Sequence, residues 1–254
     1  MEQKNGKNTE CETAVNYREV LYKDYDNFLG KYKEVNKDWK KYLVGKLLKK
    51  NILPHIPKDM SIKVVDIGCG AGLYLYSLKE RGYLNVTGTD LNESNVNSCK
   101  ENGIQCELLD GYQYLTRNPK SIDVIICSHI IEHLTKDECM NMIFAMKEAL
   151  RDSGIIIIST PNLANPFLSS TSRYSCFTHE IGFTEISIKQ VFLATGFSDV
   201  KVYEEKIFVI NNPVFWIASL LQKITSFILF LFNCLYGNNR IKVFTRNLIA
   251  VVKK

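Results

Sequence analysis

The segment from Asp66 to Gly72 reads Asp-Ile-Gly-Cys-Gly-Ala-Gly and joins a carboxylate to a turn rich in glycine. Because glycine has no Cβ, such a turn lets a ligand reach the main chain, and the amide groups that open the following helix point towards that ligand. Asp90 stands 20 residues beyond Gly70, a spacing at which a carboxylate can bind the hydroxyls of a ribose. Asp110 is a further acidic residue that could face a base. Together these residues favour a nucleoside ligand, and a turn whose glycines serve only the fold is the alternative.

The position of the last glycine separates two classes of nucleoside cofactor. A dinucleotide fingerprint G-x-G-x-x-G would require a glycine at position 73, where this sequence has Leu73. Asp66 lies two residues before Gly68, where its charge would repel a pyrophosphate but attract an ammonium group. S-adenosylmethionine carries such an ammonium, so the residues favour it over NAD as the cofactor.

Carboxylates at these positions can converge only if the strands that carry them end at one edge of a sheet. Short apolar runs and helical patterns follow one another along the chain, which predicts a parallel sheet with helices on both faces. The runs are continuously apolar, as expected for strands buried on both sides. Predicted strands cover residues 62–67, 85–89, 105–109, 122–127 and 154–159, and predicted helices cover 73–81, 93–102 and 136–150. Ligands bind to such sheets beyond the carboxyl ends of the strands.

Five motifs occur in an order that resembles class I methyltransferases. They are residues 66–72, Asp90, Asp110, residues 125–133 and residues 150–162. The resemblance covers roughly residues 60–200 and implies a Rossmann-like, doubly wound α/β fold. It implies a seven-stranded, mostly parallel sheet with an antiparallel last strand, in which strands six and seven lie near 200–210 and 246–252. N-terminal helices and a hydrophobic helical insertion between those two strands complete the expected fold.

The same resemblance implies cofactor-binding roles for particular residues. The glycine-rich turn would hold the methionine part, Asp90 the ribose and Asp110 the adenine. The predicted cofactor-binding residues are Asp66, Gly68, Cys69, Gly70, Gly72, Asp90, Leu91, Asp110, Gly111 and Ser128. The implied activity is transfer of the methyl group of S-adenosylmethionine to an oxygen of a small-molecule, glycan or lipid-linked acceptor. A non-catalytic protein that binds S-adenosylmethionine and an NAD-dependent oxidoreductase are the alternatives.

A hydroxyl acceptor must lose a proton, so a histidine within hydrogen-bond reach would act as a general base. His179 is the first candidate and His133 the second, although a purely structural hydrogen bond would explain His179 equally well. Residues 171–184 are similar to a loop of methyltransferases that act in surface polysaccharide, glycan or lipid biosynthesis. The aromatic residues of this region would line an acceptor pocket or pack the loop on the sheet; they are Phe167, Tyr174, Phe177 and Phe183.

The sequence from His129 to His133 also fits the H-x-x-E-H pattern of some zinc proteases. It directly follows a predicted strand, whereas the protease pattern belongs on a longer helix. The same element resembles that of ubiquinone-pathway O-methyltransferases, in which an acidic residue, a Glu and a His hold a divalent cation, but position 129 is a histidine here. The preferred interpretation is that His133 forms a hydrogen bond at the rim of the cofactor site and that no metal is bound.

Length and composition favour one main domain. The chain has 254 residues, of which 46% are hydrophobic, and it lacks a Pro-, Gly- or Ser-rich linker. We expect an N-terminal helical lid or extension over residues 1–59 and an S-adenosylmethionine-binding methyltransferase domain over residues 60–254. The eight cysteines follow no C-x-x-C spacing and the first residues are not apolar, so we expect free thiols and a cytoplasmic location.

The net charge of +5 is concentrated near the amino terminus. Residues 31–50 contain eight lysines and two acidic residues. A solvated helix face is the favoured interpretation, and attraction to anionic lipid or to a phosphate-bearing acceptor is the alternative. Nucleic acid is not an expected partner, because no arginine cluster or RNA-binding aromatic motif accompanies the lysines.

Residues 213–236 form a strongly apolar stretch, and Lys223 is the only charged residue between Ile207 and Asn239. A polar stripe recurs at helical spacing and consists of Ser219, Gln222, Lys223, Ser226 and Asn233. This pattern favours a helix that lies in the membrane interface over one that spans the bilayer. Both ends must also return to one sheet if the stretch connects strands six and seven. We therefore expect peripheral membrane contact, and a helix buried against the domain or in a homodimer is the alternative.

Overall fold

The structure, a computed structural model, describes residues 16–23 and 37–254. The chain divides into two compact units, residues 1–34 and residues 35–254. In the first unit the described residues form helix α1, Tyr17–Lys23. The predictions about charge and thiols partly depend on residues outside the described ranges, namely Lys31, Lys33 and Cys11.

The second unit is built on one sheet of seven strands in the order β3-β2-β1-β4-β5-β7-β6. The strands are β1 (Lys63–Ile67), β2 (Asn85–Asp90), β3 (Gln105–Leu108), β4 (Ile122–Ser128), β5 (Leu150–Pro161), β6 (Asp199–Glu204) and β7 (Asn247–Lys253). The neighbouring strands from β3 to β5 are parallel, and β7 runs antiparallel to both β5 and β6. The predicted mostly parallel sheet with an antiparallel last strand is confirmed.

Helices cover both faces of this sheet. They are α2 (Lys37–Asn51), α3 (Leu73–Lys79), α4 (Glu93–Glu101), α5 (Gly111–Arg117), α6 (Lys136–Ala149), α7 (Ser169–Tyr174), α8 (Glu185–Ala194) and α9 (Pro213–Leu235). Successive strand residues point to opposite faces, so Ile125 packs in a core with α5, α6 and α8, while Ile126 packs in a core with α2, α3 and α4. The doubly wound arrangement is therefore confirmed. Leu48 of α2 is fully buried in the second core, and the role of residues 1–59 as a lid stays a prediction.

Some element boundaries differ from the predictions. β6 was predicted near 200–210 but ends at Glu204. Glu204 pairs with Leu248, which is next to the first residue of β7, so a longer β6 would have no strand to pair with. β5 begins at Leu150, four residues before its predicted start. The helices α5, α7 and α8 were not predicted, although α5 and α8 begin at side-chain caps from Asp110 and Thr184.

α9 occupies the connection between β6 and β7, which confirms the predicted helical insertion. The helix has 23 residues, and an 18-residue stretch of it has a mean hydropathy of 1.8, so its length and composition would allow it to cross a membrane. None of its residues is buried, and Ile217 and Phe227 are 60% and 61% exposed. The described structure therefore does not bury α9 against its own domain.

Candidate functional site

The glycine turn between β1 and α3 is held in place by hydrogen bonds from its amide groups to β2. The Cys69 amide donates to the Thr89 carbonyl oxygen at 2.9 Å, and the Gly70 amide donates to Oδ2 of Asp90 at 2.8 Å. Gly70 has a φ of +55°, in the left-handed region that favours glycine, and a Cβ at this position would enter open space. Gly68 also has a positive φ, of +66°, but a Cβ there would meet Ile130 at 2.2 Å. Gly70 is thus the residue at which a ligand can approach the main chain, whereas Gly68 is required by packing.

Asp90 ends β2 with its carboxylate fixed in orientation. Oδ1 accepts hydrogen bonds from the Asn92 amide at 2.9 Å and from Nδ2 of Asn95 at 3.1 Å, while Oδ2 accepts from Gly70. Leu91, the next predicted residue, is 63% exposed. The structure therefore brings the predicted ribose ligand and the glycine turn together, with Asp90 positioned before any ligand binds.

The side chain of Asp66 is buried, and one of its carboxylate oxygens has no hydrogen-bond partner. In the part of the chain that the structure describes, three buried side-chain oxygens lack a hydrogen-bond partner: Asp66 Oδ1, Thr89 Oγ1 and Ser128 Oγ. They belong to β1, β2 and β4, the strands around the glycine turn, and Ser128 is a predicted cofactor residue. Burial and then the charge of Asp90 raise the pKa of the Asp66 carboxyl well above its ordinary value. Unpaired buried oxygens are costly, so this edge of the sheet suits a polar and partly cationic ligand such as the methionine end of S-adenosylmethionine.

Asp110 and Gly111 lie where β3 leads into α5. The Asp110 side chain caps α5 by accepting from the Gln113 amide at 3.2 Å. A Cβ on Gly111 would meet Cγ2 of Ile67 at 2.2 Å, so the glycine lets the helix start approach β1 closely. Both predicted residues have a structural role here, and Asp110 keeps carboxylate lone pairs for a ligand.

The element after β4 is a short 3₁₀ turn, Ile131–His133, and not the helix that a zinc protease would need. His129 precedes it with a φ of +57° and shares a hydrogen bond through Nδ1 with Oε1 of Glu132 at 3.1 Å. Oε2 of the buried Glu132 accepts from the Thr160 hydroxyl at 3.1 Å. Both carboxylate oxygens of Glu132 are therefore already bonded within the protein.

The pair of His129 and Glu132 should make stability depend on pH. Partial burial lowers the pKa of His129, but the hydrogen bond and the charge of Glu132 outweigh this effect and raise the pKa above 6.5. The charge of Glu205 adds to the rise, and the charge of Arg246 opposes it. Burial raises the pKa of Glu132, but His129 outweighs it and lowers that pKa below 4.5. The stabilisation that His129 contributes is complete below pH 6.5 and is lost as the pH rises through the pKa of His129 in the folded state. The stabilisation that Glu132 contributes is complete above pH 4.5 and is lost as the pH falls through the pKa of Glu132 in the folded state.

We therefore expect Glu132→Gln to lower the free energy of unfolding most between pH 4.5 and 6.5. The effect should stay below about 1 kcal/mol because the His129 side chain is 49% exposed. Urea denaturation at several pH values measures this difference, and a double-mutant cycle with His129→Gln isolates the interaction between the two side chains. A difference that does not change with pH would contradict the ion pair.

The loop that follows α7 brings the two candidate bases together. His179 Nδ1 lies 2.8 Å from the Ser172 carbonyl oxygen, and because a carbonyl can only accept, Nδ1 carries the proton and Nε2 keeps its lone pair. The rings of His133 and His179 meet edge to face with centroids 4.7 Å apart. His133 Nδ1 bonds Oγ1 of Thr178 at 2.7 Å, as expected for a structural hydrogen bond. Burial lowers the pKa of His133 and outweighs the charge of Glu132, which raises it, so His133 is neutral near pH 7.

Main-chain contacts hold this loop against the 3₁₀ turn. The amides of Glu180 and Ile181 donate to the Glu132 carbonyl oxygen at 2.8 and 3.1 Å. Arg173 donates to the carbonyl oxygens of His179 and Glu180. Glu132 and Arg173 thus position the candidate base, a role that the sequence did not reveal because it depends on main-chain carbonyls.

The aromatic residues of the same region divide into two groups. Phe183 is buried in the core, so it packs the loop on the sheet. Phe167, Tyr174 and Phe177 are 72%, 78% and 81% exposed. These exposed rings lie close in sequence to His179.

Comparisons with known proteins agree with this geometry. Residues 28–202 match the family model described as Methyltransferase domain. The chain is 30% identical over 155 residues to a ubiquinone biosynthesis O-methyltransferase of Rickettsia conorii, covering 59% of this chain and 53% of that protein. The chain spans about half the length of the curated relatives it matches.

Solved structures share the fold over a longer range. A SAM-dependent methyltransferase from Archaeoglobus fulgidus superposes with a TM-score of 0.64 at 21% identity, covering 91% of this chain and 99% of that one. Phosphoethanolamine N-methyltransferase 2 of Haemonchus contortus, solved with S-adenosyl-L-methionine, gives a TM-score of 0.54 at 15% identity and covers 95% of this chain and 60% of that one. At these identities the likeness shows the fold and leaves the acceptor open.

Proposed function

We propose, because the chain belongs to the methyltransferase-domain family, that it transfers a methyl group from S-adenosylmethionine to a hydroxyl oxygen of its acceptor. The observation that carries the proposal is the hydrogen bond from Gly70 to Asp90, which joins an open glycine turn to a pre-positioned carboxylate. When bound, S-adenosylmethionine supplies a methyl group already activated by its sulfonium. The family match favours this activity over NAD-dependent oxidation, and measured turnover separates it from a non-catalytic protein.

The residues at the sheet edge would bind different parts of the cofactor. Asp90 would accept the ribose hydroxyls, since its carboxylate is already oriented by Asn92 and Asn95. Asp66 would face the ammonium group, which would restore the charged form of this buried carboxyl. Ser128 offers a buried oxygen without a partner, and Gly70 offers bare main chain.

His179 would take the proton of the acceptor hydroxyl at Nε2. Its Nδ1–H bond to Ser172 fixes the tautomer, and the contacts of Arg173 and Glu132 fix the loop. General-base catalysis of this type is worth about 10²–10⁴-fold in rate. His133, held by Thr178, would support the ring of His179 and is the second candidate for the base.

The acceptor is proposed to be a small hydroxyl compound carried by lipid. The O-methyltransferase relatives act in ubiquinone biosynthesis by name, which favours a hydroxyl acceptor. Phe167, Tyr174 and Phe177 are exposed aromatic residues close in sequence to the candidate base, and α9 supplies a larger apolar surface. Peripheral contact with the cytoplasmic face of a membrane would give the enzyme access to such an acceptor, and a homodimer through α9 is the alternative use of that surface.

Asp90→Ala is expected to weaken S-adenosylmethionine binding by about 1–3 kcal/mol, because a charge-assisted hydrogen bond is lost. Isothermal titration calorimetry measures this, with Asp137→Ala, an exposed acidic residue of α6, as the control. Unchanged affinity in Asp90→Ala would remove the ribose assignment. Tight binding of NAD in place of S-adenosylmethionine would favour the oxidoreductase.

Methyl transfer itself is tested with isotopically labelled S-adenosylmethionine. A dihydroxybenzoate in solution and a prenylated catechol in lipid vesicles compare a soluble acceptor with a lipid-carried one. Label in the prenylated catechol, with S-adenosylhomocysteine formed in equal amount, supports the proposal. Binding of S-adenosylmethionine without methyl transfer to either acceptor, or to any compound in a cell extract, would favour a non-catalytic binding protein.

A further inference from the structure

Three cysteines from different elements meet beneath the glycine turn. Cys69 belongs to the turn, Cys99 to α4 and Cys106 to β3. Sγ of Cys69 lies 3.5 Å from Sγ of Cys106 and 3.9 Å from Sγ of Cys99, and all three sulfurs lie within 4.8 Å of one another. Each is a free thiol. No spacing in the sequence predicted this group, because the residues are 30 and 7 positions apart.

Two glycines of the surrounding chain lie close to the sulfur atoms. A Cβ on Gly72 would meet Sγ of Cys99 at 2.7 Å, and a Cβ on Gly88 would meet Sγ of Cys69 at 2.4 Å. Cys99 and Cys106 are buried, with 0% and 7% exposure. The group is therefore mostly buried, with Cys69 as its partly exposed member.

We propose that Cys69, Cys99 and Cys106 form a three-sulfur site for a thiophilic d¹⁰ cation such as Zn²⁺. A Zn–S bond of about 2.3 Å in tetrahedral geometry separates two ligand sulfurs by about 3.8 Å. The observed separations of 3.5 and 3.9 Å lie on either side of that value. Soft thiolate ligands select cations of this kind over Mg²⁺ or Ca²⁺, which prefer oxygen.

The fourth coordination position is directed towards the glycine turn. The Gly70 carbonyl oxygen lies 3.3 Å from Sγ of Cys99 and 3.5 Å from Sγ of Cys69. This oxygen or a water molecule would complete the ligand set. Each coordinating thiol releases its proton to solvent as its bond to the cation forms, and no oxidant or reductant is needed.

Cation binding at this site would connect the turn to α4 and β3, whose cysteines lie 30 and 37 residues further along the chain. Such a connection stabilises the folded state, because the unfolded chain does not hold the three thiols together. The proposal does not depend on methyl transfer. A second group of ligand atoms, from His133, Cys176 and His179, also lies within 4.8 Å, so the experiment must separate the two.

Cd²⁺ is the probe, added alone to the purified full chain with its thiols reduced. We expect the ultraviolet charge-transfer band of cadmium thiolate to saturate at one ion per chain, with the mass of one bound ion in native mass spectrometry and a rise in melting temperature. Cys99→Ala and Cys106→Ala, each tested separately, should lose the band and the thermal shift. Cys139→Ala is the matched control, because Cys139 is a buried thiol of α6 outside the group.

Cys176→Ala tests the second group and should leave the band unchanged. A band that is lost in Cys176→Ala and kept in Cys99→Ala would overturn the proposal, and so would the lack of stoichiometric binding by the unmodified chain. Should one alanine variant fail to fold, labelling of the unmodified chain with a maleimide decides instead. Cd²⁺ should protect Cys69, the partly exposed member of the group, from the reagent, and equal labelling of Cys69 with and without Cd²⁺ would overturn the proposal.

Discussion

Replacement of His179 by alanine is expected to lower turnover by about 10²–10⁴-fold, while the affinity for S-adenosylmethionine changes by less than about twofold. The proton on Nδ1 is committed to the Ser172 carbonyl oxygen, so Nε2 is the atom that can accept the acceptor's proton. The cofactor residues lie on the glycine turn and the ends of β1 to β4, and His179 lies on a separate loop after α7. Turnover with the true acceptor and calorimetry with the cofactor measure the two quantities independently.

A chemical rescue distinguishes a base from a residue that only holds the loop. Added imidazole should restore part of the activity of His179→Ala. His133→Ala is the matched comparison, because its ring touches His179 and is held by Thr178. Turnover of His179→Ala within a few-fold of the unmodified chain would assign His179 a structural role. A large loss in His133→Ala that imidazole restores would move the assignment to His133.

The strands could be predicted from the sequence because burial on both faces leaves a simple pattern. The run from Ile122 to Cys127 is apolar at nearly every position, since Ile125 and Ile126 face two different cores. The end of β6 could not be predicted in this way. It depends on where the partner strand β7 begins, which is a property of the pairing and not of residues 205–210.

The candidate site was predictable where main-chain geometry imposes a residue type. The glycine turn requires left-handed backbone, and the spacing to Asp90 reflects one strand-helix-strand unit, so both leave a local signal. The contact between His133 and His179 joins positions far apart in the chain. The carbonyl of Glu132 belongs to the main chain and would be present with any side chain, so it leaves no signal in the sequence. Contacts of this kind become visible only when the loop after α7 is placed in three dimensions.

α9 is expected to bind lipid vesicles through one face, and three substitutions on that face should release the protein. Ile217, Ile224 and Leu231 follow one another at intervals of seven residues and are 60%, 47% and 46% exposed. Changing all three to glutamine removes at least about 1.5 kcal/mol of apolar burial at each position, which weakens partition by about a thousandfold. Flotation with vesicles of anionic and of neutral lipid measures the loss.

The opposite stripe supplies a control with the same spacing and the same new residue. Ser219, Ser226 and Asn233 also recur every seven residues and are only partly exposed, so changing them to glutamine should leave flotation unchanged. Equal loss in both triple variants would contradict binding through one face. Retention of the unmodified chain in the soluble fraction as a stable dimer would instead assign the exposed face to a second copy.

Alkaline carbonate extraction of vesicle-bound protein tests whether α9 lies on the membrane or crosses it, and we expect it to release the protein. Lys223 lies near the middle of the helix, where a spanning orientation would place its charge at the bilayer centre at a cost of about 2.5–3.5 kcal/mol. The strands on either side of α9 pair with each other, because Glu204 lies opposite Leu248. If α9 crossed the bilayer, residues 236–246 would have to return through the hydrocarbon without helical hydrogen bonds. Both costs disappear when the helix lies in the interface with Lys223 facing water. Protein that stays with the vesicles in carbonate would show that α9 inserts across the bilayer despite these costs.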